Sequence, residues 1–127
     1  MQVADKAQDI VKWFNNHSRA RAILREEQLH TLGKILALLF AVLIRWTSVY
    51  QSLKQLLECC QPLCAIAFSQ QDTLIEAGGN RDNAQQVTLQ VLRTLSNDEF
   101  WAGATWYGIL FNQILLQLIL LSEWSHT

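Results

Sequence analysis

The chain has 127 residues and a mass of 14.6 kDa, the size of one small domain. Half of its residues are apolar, 17% are charged and one is proline, which excludes a disordered or polyproline linker. A formal charge of −1 excludes the strongly basic footprint of a free-standing nucleic-acid binder.

That charge is unevenly spread. Residues 1–60 hold eight Lys/Arg against five Asp/Glu, a net +3, whereas residues 61–127 hold two against six, a net −4. The first half is mildly suited to phosphates and the second is not. The opening MQVADKAQDI lacks the basic stretch and apolar core of a signal peptide, so an intracellular chain is expected.

Apolar residues at Val3, Ala7, Ile10, Val11 and Phe14 trace one face of a helix, with Asp5, Lys6, Asp9 and Lys12 on the other. Asn15, Asn16 and His17 mark a turn, and Ser18 is the expected N-cap of a second helix. That helix runs to about Leu32, where Gly33 supplies the stop. Residues 35–44, ILALLFAVLI, are apolar without a break, and periodicity leaves a helix and an extended segment equally open.

A third helix is expected to be capped by Thr47 or Ser48, with Val49, Leu53, Leu56, Leu57 and Cys60 as its buried stripe. Pro62 should end or kink it, because proline has no N–H to donate, and a short helical stretch should cover 63–71. Residues 77–83, AGGNRDN, form the one obvious internal joint. A helix over about 84–95 follows, with Val87, Val91, Leu92 and Leu95 on one side. Ser96-Asn97-Asp98-Glu99 then starts the last helix, its acids placed where the helix dipole favours them.

No formal charge occurs between Glu99 and Glu123. The segment 100–122 has the length of a membrane span, with Trp101, Trp106, Tyr107 and Trp124 towards its ends. Asn112, Gln113 and Gln117 across its middle, and acidic rather than basic flanks, favour a core or interface helix instead.

No catalytic or metal-binding constellation emerges from spacing. His17, His30 and His126 lie far apart. Cys60 and Cys64 are one helical turn apart, yet no second pair exists to complete a zinc site. Cys59, Cys60 and Cys64 are therefore expected to be core thiols. Asp5/Asp9 and Asp98/Glu99 stand near helix starts, where solvation and the dipole explain them. No cofactor is expected.

Four blocks resemble the hAT superfamily of DNA transposases. KAQDIVKWFNNHSRARAILREEQ (6–28) is similar to the stretch after that family's second catalytic aspartate, where a helix ends in an FFN-type turn before an LREEQ-like helix. IRWTSVYQSLKQLLE (44–58) resembles its TRWNS motif, with Ile44 in place of the usual Thr and Thr47 in place of the usual Asn. NDEFW (97–101) resembles the D-x-x-FW that opens a helix of its insertion domain. LLSEWSHT (120–127) is similar to its hkSES-type ending, and Gln113 stands near a common Pro.

The resemblance implies a piece of an RNase H-like core with its helical insertion domain, without the metal-holding acids and hence without independent catalysis. Residues 1–72 would be the helical segment following the catalytic core, 73–83 a Gly/Asn-rich turn, and 84–127 the truncated start of the insertion domain. It further implies a nuclear, transposable-element-derived protein in which Arg45 and Trp46 contact nucleic acid, the indole by stacking on a base and the guanidinium by holding a phosphate.

From the residues themselves, Arg19, Arg21 and Arg25 are candidate phosphate contacts. DNA binding is expected to be weak, self-association through 100–122 is expected, and a membrane is the less favoured partner. The expected fold is all-α, with five or six helices around Ile10, Phe14, Leu24, Leu53, Leu56, Val91, Phe100 and Trp101.

Overall fold

The computed structural model describes residues 2–40 and 46–125, with side chains over 3–40 and 48–121. Among them are seven helices and no strand: α1 (Gln2–Asn16), α2 (Ser18–Leu32), α3 (Trp46–Glu58), α4 (Cys60–Ser69), α5 (Gln71–Ala77), α6 (Asp82–Leu95) and α7 (Asp98–Ser125). The all-α expectation holds. The extra helix is α5, which lies almost wholly beyond the stretch expected over 63–71; that stretch is α4, which starts at Cys60 and contains Pro62.

Helix α1 lies at the centre and packs against α2, α3, α6 and α7. Ala7, Ile10, Val11, Trp13 and Phe14 are all buried, so its apolar stripe is wide enough to meet several neighbours. Burying a side chain such as Phe14 or Ile10 stabilises by about 1.5–3 kcal/mol. All eight residues named as the expected core are buried.

Helix α2 ends as predicted. Gly33 adopts φ 73°, a left-handed conformation that costs a residue with a side chain about 1–2 kcal/mol, and its N–H reaches Leu29 O at 3.1 Å. Its start differs from expectation. His17, not Ser18, occupies the capping position, and it makes no side-chain cap bond. Its Nδ1 lies 2.6 Å from Trp13 O, and its ring stacks on the indole at 4.7 Å.

Residues 35–40 are neither helix nor strand, so that part of the apolar run is not helical; residues 41–45 lie outside the described residues. Two amides hold this segment down. Gln28, fully buried in α2, donates Nε2–H to Leu36 O at 2.8 Å and accepts Leu36 N–H at Oε1 at 3.4 Å. Asn15 Nδ2 donates to Leu38 O at 3.2 Å. Leu38 is buried beneath this clamp, while Ile35, Leu39 and Phe40 remain exposed.

Helix α3 begins one residue before its expected caps. It breaks at Cys59 (φ −93°, ψ 6°), ahead of Pro62, whose ring would meet the carbonyl of Glu58 in a continuous helix. Cys59 N–H is shared between Gln55 O and Leu56 O, both at 3.1 Å, and Leu63 N–H closes onto Cys59 O at 2.9 Å. Within the expected stripe, Leu53 and Leu56 are buried while Val49, Leu57 and Cys60 are only partly so.

Helix α6 is rotated relative to its predicted face. Val91, Leu92 and Leu95 are buried, but Val87 is 54% exposed and Thr88 takes the inner position. Thr88 Oγ1 accepts the buried indole N–H of Trp13 at 3.2 Å and donates to Ala84 O at 3.0 Å. Asn97 Oδ1 accepts Glu99 N–H at 2.9 Å, capping α7. Phe100, Trp101 and Ala104 then enter the core, and Trp101 Nε1–H donates to Leu95 O at 2.9 Å.

Candidate functional site

The predicted phosphate contacts are divided by the fold. Arg19 turns towards α5, its Nη2 3.9 Å from Glu76 Oε2, both side chains being well exposed. An exposed pair of this kind contributes little stability and half-neutralises the cation. Arg21 and Arg25, one turn apart on α2, line a cleft of about 130 Å³ against the segment 36–38, together with Phe14, Asn15 and Leu24.

Among the described residues neither Arg21 nor Arg25 makes an ion pair, and no carboxylate lines that cleft. Like charges at this spacing disfavour the helix by a few tenths of a kcal/mol, so an anion here would relieve repulsion. Arg45 lies outside the described residues. Trp46 opens α3, and its side chain also lies outside them.

A larger groove of about 320 Å³ runs between α1 and α6. Lys6, Asp9, Lys12 and His17 stand at its rim, with Ile10, Trp13, Val87 and Val91 beneath. The sequence pattern does not reveal this groove, because it groups Val87 on one side of the helix with the buried Val91, Leu92 and Leu95, whereas Val87 is exposed. Its floor is held by the Trp13–Thr88 hydrogen bond, a contact between residues 75 positions apart that no local pattern signals.

Among the described residues no three His, Cys, Asp or Glu side chains converge in a way that could hold a metal ion. The carboxylates are dispersed, with Asp5, Asp72, Asp82, Asp98 and Glu99 each in the first turn of a helix. The dipole stabilises an acid there, which accounts for their positions without chemistry.

The thiols divide. Cys59 is fully buried and accepts Gln28 Nε2–H at 3.1 Å. Cys60 and Cys64 are only partly buried, contrary to the expectation of three core thiols, and their sulfurs are 3.9 Å apart. Burial pushes the Cys59 thiol up, and burial followed by the adjoining Cys64 pushes Cys60 up to about 12.

Among the described residues, more than half of the exposed large apolar side chains belong to α7. Its 28 residues extend about 42 Å at 1.5 Å per residue. The first part is held by α1 and α3, where Gly108 lets Leu57 approach closely and Tyr50 OH donates to Asn112 Oδ1 at 3.3 Å. Beyond Leu115 every described side chain is exposed, including Leu116, Leu118, Ile119, Leu120 and Leu121. Ile109, Leu110 and Ile114 are exposed as well, so apolar side chains face solvent all round the shaft. By length and composition alone, Asp98–Leu121 could cross a membrane.

No protein family, no curated protein and no solved structure matches the chain.

Proposed function

We propose that this chain is a helical unit of hAT-like transposase descent that works by docking rather than by catalysis, with DNA binding that is weak at most. The descent rests on the four sequence blocks and their order. Two of those blocks coincide with helix starts: the Arg-Trp block with the head of α3, and NDEFW with the capped head of α7.

The observation that carries the docking reading is the uncovered shaft of α7. Contiguous apolar surface of this kind on a water-soluble chain marks an interaction site. Self-association is the expected outcome in isolation. Light scattering across a concentration series is the test, with Ile114→Gln/Leu118→Gln as the variant that should return the chain to monomer. A monomeric wild-type chain with a cooperative melt would overturn it.

The absence of catalysis is tested separately. Manganese with DNA carrying transposon ends should yield background cleavage, and a robust rate abolished by changing one acid would refute the reading. Any DNA binding should depend on Arg21 and Arg25 and fall steeply with salt.

A second reading, a membrane-associated helical protein, is favoured by one observation: the exposed apolar residues encircle α7 rather than forming a single stripe. The part beyond Leu115 is about 15 Å long, against a hydrocarbon core of about 30 Å, so with α7 still packed on the bundle it reaches one leaflet only. Flotation with neutral lipid vesicles distinguishes the readings, because docking on protein leaves the chain at the bottom of the gradient.

A further inference from the structure

Two of the three thiols form a pair that the docking surface does not involve. Cys60 and Cys64 stand one turn apart on α4 with Sγ atoms 3.9 Å apart, both partly exposed and both reduced. Cys64 Sγ also approaches Leu95 O at 3.5 Å, an acceptor for its S–H. Cys59 is separate, its sulfur occupied in the core by Gln28.

Helix geometry decides what this pair can do. Cβ atoms four residues apart on a helix are about 5–6 Å apart. A disulfide requires them at about 3.5–4.5 Å. Closing an S–S bond would therefore compress the turn that carries Pro62 and Leu63, both buried in the core. A metal ion placed between the sulfurs needs no such compression. With metal–sulfur bonds of about 2.3 Å, two ligand sulfurs lie about 3.8 Å apart at a tetrahedral angle and about 4.6 Å apart in a line. The observed 3.9 Å lies at the bent end of that range, and a small rotation of either side chain opens it towards the near-linear arrangement that two ligands alone prefer.

The donor set selects the ion. Among the described residues no His, Asp, Glu or third Cys joins the two sulfurs, so a closed four-ligand zinc site is not available. Two sulfurs alone suit a soft ion content with low coordination. We propose that Cys60 and Cys64 form a two-thiolate site for a soft, thiophilic monovalent cation, with Cu(I) as its probe. As each S–metal bond forms, the S–H gives its proton to solvent, and the cation supplies the positive charge that this partly buried pair otherwise lacks.

The test is an anaerobic titration of the reduced full chain with Cu(I) in competition with a chromophoric Cu(I) chelator. One ion per chain is expected. Cys60→Ser or Cys64→Ser should each weaken binding by at least about 100-fold, the upper end of what loss of a supporting contact alone costs. Cys59→Ser should leave it unchanged. Copper-edge X-ray absorption of the unaltered protein gives a readout independent of how the variants fold, and two sulfur neighbours are expected. Failure to compete with the chelator, retention of binding in both Ser variants, loss of binding in Cys59→Ser, or a shell of nitrogen and oxygen neighbours would each overturn the proposal.

Discussion

Gly78, at the end of α5, is the position where a single methyl group should do most damage. Its φ of −75° is open to any residue, so backbone strain plays no part. Space does. An added Cβ would overlap Thr88 Oγ1 and stand 3.1 Å from Thr88 Cβ and 3.3 Å from Cγ2, and the Cβ approach persists whatever rotamer the threonine takes. Overpacking of this kind costs about 1–3 kcal/mol. Displacing Oγ1 also removes the acceptor of the Trp13 indole N–H, and an unpaired buried donor costs about 1–3 kcal/mol.

The two costs overlap, so Gly78→Ala should destabilise by about 2–4 kcal/mol, which for a chain of this length lowers Tm by roughly 10 °C. Urea denaturation measures the loss, and the double mutant with Thr88→Ala tests its cause. With Oγ1 and Cγ2 gone only the 3.1 Å approach of the two Cβ atoms remains, a contact that a shift of a few tenths of an ångström relieves, so Gly78→Ala should add about 1 kcal/mol or less in that background. An equal cost in both backgrounds, or a single mutant as stable as the parent, would refute the reasoning.

Gln28→Ala should release the segment 35–40, because Leu36 N–H and O both lose their partner; a loss of about 2–4 kcal/mol is expected, with faster amide exchange over 35–40. Alkaline stability should fall as pH rises. The folded Cys60 thiol holds its proton to about 12, whereas the unfolded thiol releases it near 9.0, so the contribution is intact below the lower value and lost across the interval. Melts from pH 8 to 12 should show this decline reduced in Cys60→Ser. Arg21→Ala and Arg25→Ala should each lower the slope of log affinity for DNA against log salt by about 1, whereas Arg19→Ala should lower it less because Glu76 already faces that guanidinium.

Much of the helical framework was legible in the sequence. A stripe at Ala7, Ile10, Val11 and Phe14, the Gly33 stop, the Pro62 break and the helix start at Ser96-Asn97-Asp98-Glu99 are local signals. Each acts through backbone geometry or through the partition of one helix between water and a generic apolar side. The three arginines of α2 were legible as cations, but their division, with Arg21 and Arg25 over a cleft and Arg19 against Glu76, depends on where α5 comes to rest.

What the tertiary structure alone decided was which polar groups go inside. Gln28 reads as a solvent residue and Thr88 as a poor substitute for Val87. Both are buried because distant partners complete their hydrogen bonds: Leu36 and Cys59 for Gln28, and Trp13 for Thr88. Periodicity measures the hydrophobicity of a face. It carries no information about a hydrogen-bond partner 31 or 75 residues away, and that partner determines whether burying an amide or a hydroxyl costs free energy or holds the fold together.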